Sequence, residues 1–290
     1  MHEELRLLLN CCFHKLLEAH RHDHSWSGQW TIGDWYVLDD GRVEIEVPPV
    51  MYQDHAELLT ACKADLKKFA TSIVSLFAIQ GDFPAYLLHF SKELKGDVQN
   101  MTYDDYFGSD KERESRVYLS GHGWYMEYLE FHPALLSPVA RLALIEGWYL
   151  CINDLQYDRW IEFTSVLCSR LDWMQVITDN SADEVDDLVW LTFWYKAGKP
   201  NPLDSSTWKP RYKDTWAKKH LFLRQLCYHS YRHTKFAGGI QSVKNEDEPE
   251  LNAARLEPDF LPEFVKLLLS ERKMTEGFFR HWQAYRRQKF

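Results

Sequence analysis

From Pro48-Pro49 onward, apolar residues recur at helical spacing in segment after segment, and this period constrains the fold of the 290-residue chain more than any other feature. The spacing predicts helices over residues 54–79, 84–95, 112–131, 138–153, 156–177, 181–197, 211–233, 259–270 and 275–289. An amphipathic helix over 3–20 precedes them. Its expected apolar stripe is Leu5, Leu8, Leu9, Cys12, Phe13 and Leu16, with Glu4, Arg6, Lys15 and Glu18 off it. Ser181-Ala-Asp-Glu184 reads as a capping box, in which the Ser oxygen and the Glu carboxylate satisfy reciprocal orphan amides. Helix 138–153 carries only Arg141 and Glu146 as charges, which predicts a central helix buried on all sides.

One segment breaks the helical pattern. Trp30–Leu38 and Arg42–Val47 are β-prone runs joined by Asp39-Asp40-Gly41, a turn signal because Gly tolerates positive φ. Val43, Ile45 and Val47 alternate with Glu44 and Glu46, so one face of the hairpin should be wet and acidic, and Pro48-Pro49 should end the strand. The expected class is mainly α: a multi-helix, bundle-like globule with an N-terminal β-hairpin. Residues 96–111, 198–210 and 237–258 read as linkers. Two organisations fit, a small lobe over 1–95 followed by a helical domain over 112–290, or one continuous domain.

Composition narrows the class of protein. Hydrophobic residues make up 45% and charged residues 27%, which excludes disorder on compositional grounds. The 12 Trp, 15 Tyr and 16 Phe predict an aromatic core. No run of about 18 apolar residues exists to span a membrane. Met1-His2-Glu3-Glu4 lacks the basic flank of a signal peptide, and the six cysteines form no CxxC pair, so free thiols and a cytoplasmic location are expected.

Charge is divided unevenly. Residues 1–190 carry 15 Lys+Arg against 32 Asp+Glu, whereas residues 191–290 carry 19 against 11. Such a dipole speaks to partners rather than to fold. Candidate acidic binding residues are Glu44, Glu46, Asp104, Asp105, Asp183, Asp186 and Asp187, which would steer a basic protein partner while Trp or Tyr anchors it. The last three also suit the first turn of a helix by the macrodipole alone. The alternative surface is the basic segment 209–235. Over a 211–233 helix, Lys213, His220 and Arg224 cluster on one side, and Lys218, Lys219 and Arg232 broaden it with Tyr228 and Tyr231 between. That mixture suits unpaired nucleic acid, though it equally suits docking against the acidic half.

Catalytic and metal signatures are weak. His20/His24 and His229/His233 have i,i+4 spacing, but zinc needs three or four ligands and no HExxH occurs. Asp259, then Glu271-Arg-Lys273, mimics a PD-(D/E)xK nuclease string, which needs sheet strands where Phe260–Leu269 reads as helix. Glu146, in the most apolar helix, is either a tuned acid or base or, as expected, the structural partner of an Arg or Trp N–H. There is no GxxxxGK[ST], GxGxxG or GxSxG motif, and Gly121-His-Gly123 stands alone. The sequence therefore points to a non-enzymatic interaction protein, of the character of a toxin-neutralising immunity protein, with no metal and no cofactor expected.

Overall fold

A computed structural model describes residues 3–78, 84, 86–109, 122–154, 221–226, 254 and 258–270, with backbone alone for 147–154. The helices expected over 156–177, 181–197 and 275–289, and most of that over 211–233, lie outside the described residues. The described residues are mainly α-helical with two small two-stranded antiparallel sheets. The chain divides into two compact units. The first is Met1–Ser137 with Pro262–Arg272, and the second is Pro138–Leu261 with Lys273–Phe290.

The first unit opens with helix α1 (Glu3–Arg21). Its buried face is Arg6, Leu9, Cys12, Phe13, Leu16, Leu17 and His20, rotated from the expected stripe, while Leu5 and Leu8 are exposed. The rotation has a cause in Arg6. Its guanidinium donates to Leu135 O at 2.6 Å and to Glu3 at 2.8 Å, so a charged residue can sit on the core face. Phe13 then meets Phe69 and Phe90 at ring-centroid distances of 5.2 and 5.1 Å, the latter edge to face.

Strand β1 (His24–Ser25) pairs with β4 (Val50–Met51), a sheet the sequence reading did not anticipate. Between them β2 (Trp35–Val37) and β3 (Val43–Ile45) form the expected hairpin in the register Trp35↔Ile45, Tyr36↔Glu44 and Val37↔Val43. Gly41 takes φ +85° at its turn, where Arg42 N–H donates to Asp40 Oδ1 at 3.0 Å. Val43 and Ile45 are buried and β3 packs on α1.

Helix α2 (His55–Ser72) begins where Asp54 accepts from Ala56 and Glu57 N–H, both at 2.9 Å. It ends before residue 79 in a 3₁₀ turn over Val74–Phe77. Helix α3 (Leu87–Lys95) follows. The described part of the expected linker, 96–109, holds a 3₁₀ turn over Asp97–Asn100 and helix α4 (Tyr103–Phe107). Thr102 and Asp105 form the capping box that starts α4, a signal of the same kind as Ser181–Glu184. Helix α5 (Trp124–Glu130) packs on α4.

Helix α6 (Pro138–Asp154) matches the expected span. Among its described side chains, 138–146, Ala140, Arg141, Leu144 and Ile145 are buried, but Val139 is 71% exposed. Residues 221–226 are helical. Helix α7 (Phe260–Ser270) buries Leu261, Phe264, Val265, Leu268 and Leu269, the stripe expected of it, while Glu271 and Lys273 of the nuclease string lie outside the described residues.

Candidate functional site

Two polar networks lie within the first unit. Asp65 on α2 is the centre of one and is fully buried. Its Oδ2 accepts from Ser25 Oγ at 2.5 Å, Trp26 N–H at 2.9 Å and His20 Nε2 at 3.3 Å. Its Oδ1 accepts from Gly28 N–H at 2.7 Å and Trp30 Nε1 at 3.2 Å. Gly28 reaches it with φ +70°, a conformation that costs a side-chain-bearing residue strain. Burial alone would raise the Asp65 carboxyl, but the hydrogen bonds from His20, Ser25 and Gly28 outweigh it and hold the group below its ordinary value.

His20 Nδ1 lies 2.7 Å from the Tyr106 hydroxyl. Burial pushes the Tyr106 phenol well above its ordinary value, so it stays protonated and donates to Nδ1, leaving Nε2–H for Asp65. A serine, a histidine and an aspartate therefore meet here, but not as a catalytic triad. Ser25 donates to Asp65 rather than to His20, and both imidazole nitrogens are occupied. The network clamps the 25–30 segment to α2. His24 faces elsewhere, its Nδ1 bonded to His22 O at 2.5 Å, so the His20/His24 pair does not converge.

The second network joins α3, α5 and α7. Lys266 Nζ lies 2.8 Å from Glu93 and 3.0 Å from Asp97, and 5.8 and 5.9 Å from the ring centroids of Tyr125 and Tyr128. The Tyr125 hydroxyl donates to Glu93. Burial raises the Glu93 carboxyl, while Lys266 and Tyr125 pull it down only in part. Burial also works against the Lys266 ammonium, yet Glu93 and Asp97 outweigh it and raise its pKa. Beside this cluster His89 Nε2 lies 3.1 Å from Glu263 Oε1, and His89 Nδ1 lies 3.1 Å from His132 Nε2. His132 Nδ1 accepts from Ala134 N–H at 3.1 Å. The His89 bond lowers the Glu263 carboxyl, and burial, then His89 and Lys266, depress His132 well below its ordinary value.

The sequence-nominated residues are placed differently. Glu44 is paired with Lys15 at 2.6 Å, and Glu46 is exposed with its N–H on Asp34 O at 2.8 Å. Asp104 is exposed on α4. Asp105 is engaged internally, holding the Thr102 cap and accepting from Trp124 Nε1 at 2.9 Å. Arg224 forks onto Glu146 at 2.7 and 2.9 Å, so Glu146 has the arginine partner expected of it. Glu146 is half-buried rather than enclosed. Asp183, Asp186, Asp187, Lys213, Lys218, Lys219, His220, Arg232 and the His229/His233 pair lie outside the described residues.

Among the described residues, the buried polar chemistry at Asp65, Glu93, His89, His132 and Lys266 escaped sequence reading. A signal existed for Asp65: it shares the buried face of α2 with Cys62, Leu66 and Phe69, where a lone charge is out of place. Among the described residues no group of three or more His, Cys, Asp or Glu could hold a metal, and no helix is long and apolar enough to cross a membrane. Among the described residues, segment 31–57 carries one group of exposed apolar side chains. Ile32, Tyr36, Val37, Val50 and Met51 are 47–62% exposed there. Between them run Asp34, Asp39, Asp40, Glu44, Glu46, Asp54 and Glu57, against Arg42 alone. Searches against protein families, curated proteins and solved structures find no match to this chain.

Proposed function

We propose that this protein is a non-enzymatic binding protein whose strand layer, residues 31–57, engages a basic protein partner. The observation that supports this reading is the exposure of Ile32, Tyr36, Val37, Val50 and Met51 amid seven carboxylates and one arginine. Apolar side chains supply contact area, and the carboxylates steer a cationic partner and reject acidic ones. Glu46 and Asp39 are the strongest steering candidates, since Glu44 is partly neutralised by Lys15 and Asp40 by Arg42. Tyr36 is the aromatic anchor of the surface. Trp26 and Trp30, which composition alone would also nominate, are buried.

The polar networks favour the same reading. The one at Asp65 closes on internal donors, as buried groups in a scaffold do. The test is affinity capture from native lysate, with and without nuclease, by the wild-type chain and by two variants. One carries Tyr36→Ala, Asp39→Lys and Glu46→Lys; the other carries Lys213→Glu and Lys218→Glu. The reading expects a stoichiometric, nuclease-resistant, basic protein that the first variant loses and the second keeps. Retention by the first variant, or recovery of nuclease-sensitive nucleic acid that only the second variant loses, would overturn it.

A further inference from the structure

The hydrogen-bond relay Ala134, His132, His89, Glu263 runs in one direction, and its geometry determines where every proton sits. The Ala134 N–H donates to His132 Nδ1, so the His132 proton is on Nε2. His132 Nε2–H faces His89 Nδ1 at 3.1 Å, which must then accept. The His89 proton is accordingly on Nε2 and is donated to Glu263. Three bonds use three protons, and neither imidazole keeps a free ring nitrogen for a fourth. Adding a proton to His89 Nδ1 sets N–H against N–H unless His132 moves its own proton to Nδ1. There it confronts the Ala134 N–H instead.

We propose that this relay is a proton switch built into the first unit, in which acidification breaks the Ala134 cap and loosens the turn over Pro133–Leu135 while drawing His89 onto Glu263. The position of the pair in the chain gives the switch its reach. His132 caps the turn that leads to Ser137, where the chain leaves the first unit, and Glu263 lies in Pro262–Arg272, by which it returns. The same turn is held from α1 by Arg6, through Leu135 O.

The surrounding charges decide which ring takes the proton. Glu263 on α7 favours a cation, and Asp97 on the following turn does so from the solvent edge, while Glu93 on α3 is paired with Lys266. Lys266 on α7 opposes one at His132, which is fully buried. From α5, Tyr125 is committed to Glu93, and the Tyr128 hydroxyl, buried without a hydrogen-bond partner, lies on a ring 5.4 Å from His132. Glu263 accepts from the far side of the pair at 3.1 Å, so the geometry places an added proton on that side and the strain on the Ala134 bond.

The experiment is nuclear magnetic resonance of the full chain between pH 7 and 5. Imidazole nitrogen spectra report the tautomers, and amide exchange, corrected for its intrinsic pH dependence, reports the turn. The switch predicts that the His132 proton moves from Nε2 to Nδ1. It also predicts that protection of Ala134 and Leu135 falls at least tenfold relative to Leu66–Ala70 of α2. In His89→Gln, whose amide can accept from His132 and donate to Glu263 without titrating, protection stays flat. A His132 tautomer unchanged across the range in the wild type, or a loss of protection that persists in His89→Gln, would overturn the proposal. The wild-type spectra decide it even where the variant does not fold.

Discussion

Asp65 shows how one residue can organise a segment that is otherwise without regular structure. Five donors from Ser25, Trp26, Gly28, Trp30 and His20 end on it, and all but the Gly28 bond are buried. Replacing Asp65 with Ala leaves those donors unsatisfied, and the expected loss is about 3–5 kcal/mol, read as a shift of the urea midpoint. An unchanged midpoint would mean that the clamp contributes nothing to the fold. Thiol chemistry gives a second test at this scale. Burial, then the neighbouring Cys11, pushes the Cys12 thiol up to about 12, and burial beside Asp65 raises Cys62 as well. Cys11 is exposed. Brief alkylation at pH 8 followed by peptide mapping should label Cys11 and spare Cys12 and Cys62. Little of this was legible in the sequence. Periodicity marks Asp65 as a charge on an apolar face, but its donors come from residues 35 to 45 positions away, and no spacing rule brings them to it.

At the scale of elements, local signals carried well and burial carried less well. The Asp-Gly turn fixed the β2–β3 hairpin, and the apolar stripe of Phe260–Ser270 was correct residue by residue. The α1 stripe was misread because Arg6 finds its partners in Glu3 and in the distant Leu135 carbonyl, which hydropathy cannot register. The 96–111 segment looked like a linker because its helix is only five residues long, although Thr102 and Asp105 announce its start. The contact between α4 and α5 depends on the absence of a side chain at Gly123. A Cβ there would lie 2.1 Å from the Asp105 carbonyl oxygen, a backbone atom that cannot step aside. Gly123→Ala should cost about 3 kcal/mol or more and speed amide exchange across α4, whereas Gly41→Ala, with nothing within 4 Å, meets only the strain of positive φ.

Across the whole molecule, pH and charge are the levers. His132 has a depressed pKa in the folded state and an ordinary one, about 6.5, when unfolded. The unfolded chain therefore takes up this proton first as pH falls, and stability that is full above about 6.5 is lost below it, by roughly 1 kcal/mol per pH unit. Glu93, raised by burial, acts in the opposite sense, so the contribution of His132 is the difference between the wild type and His132→Asn. Urea midpoints at pH 7.5 and 5.5 should diverge more for the wild type than for that variant. The division of charge, visible from composition alone, belongs to this scale too. It pointed to acidic surfaces but did not distinguish the exposed Glu46 from Asp105, which is spent on a helix cap and on Trp124. The central claim is that residues 31–57 form the surface a basic partner meets. Hydrogen exchange of the captured complex against the free chain tests it most directly. The account predicts slowed exchange at 35–37, 43–46 and 50–51. Slowing confined to 209–235, with the strand layer unchanged, would contradict it.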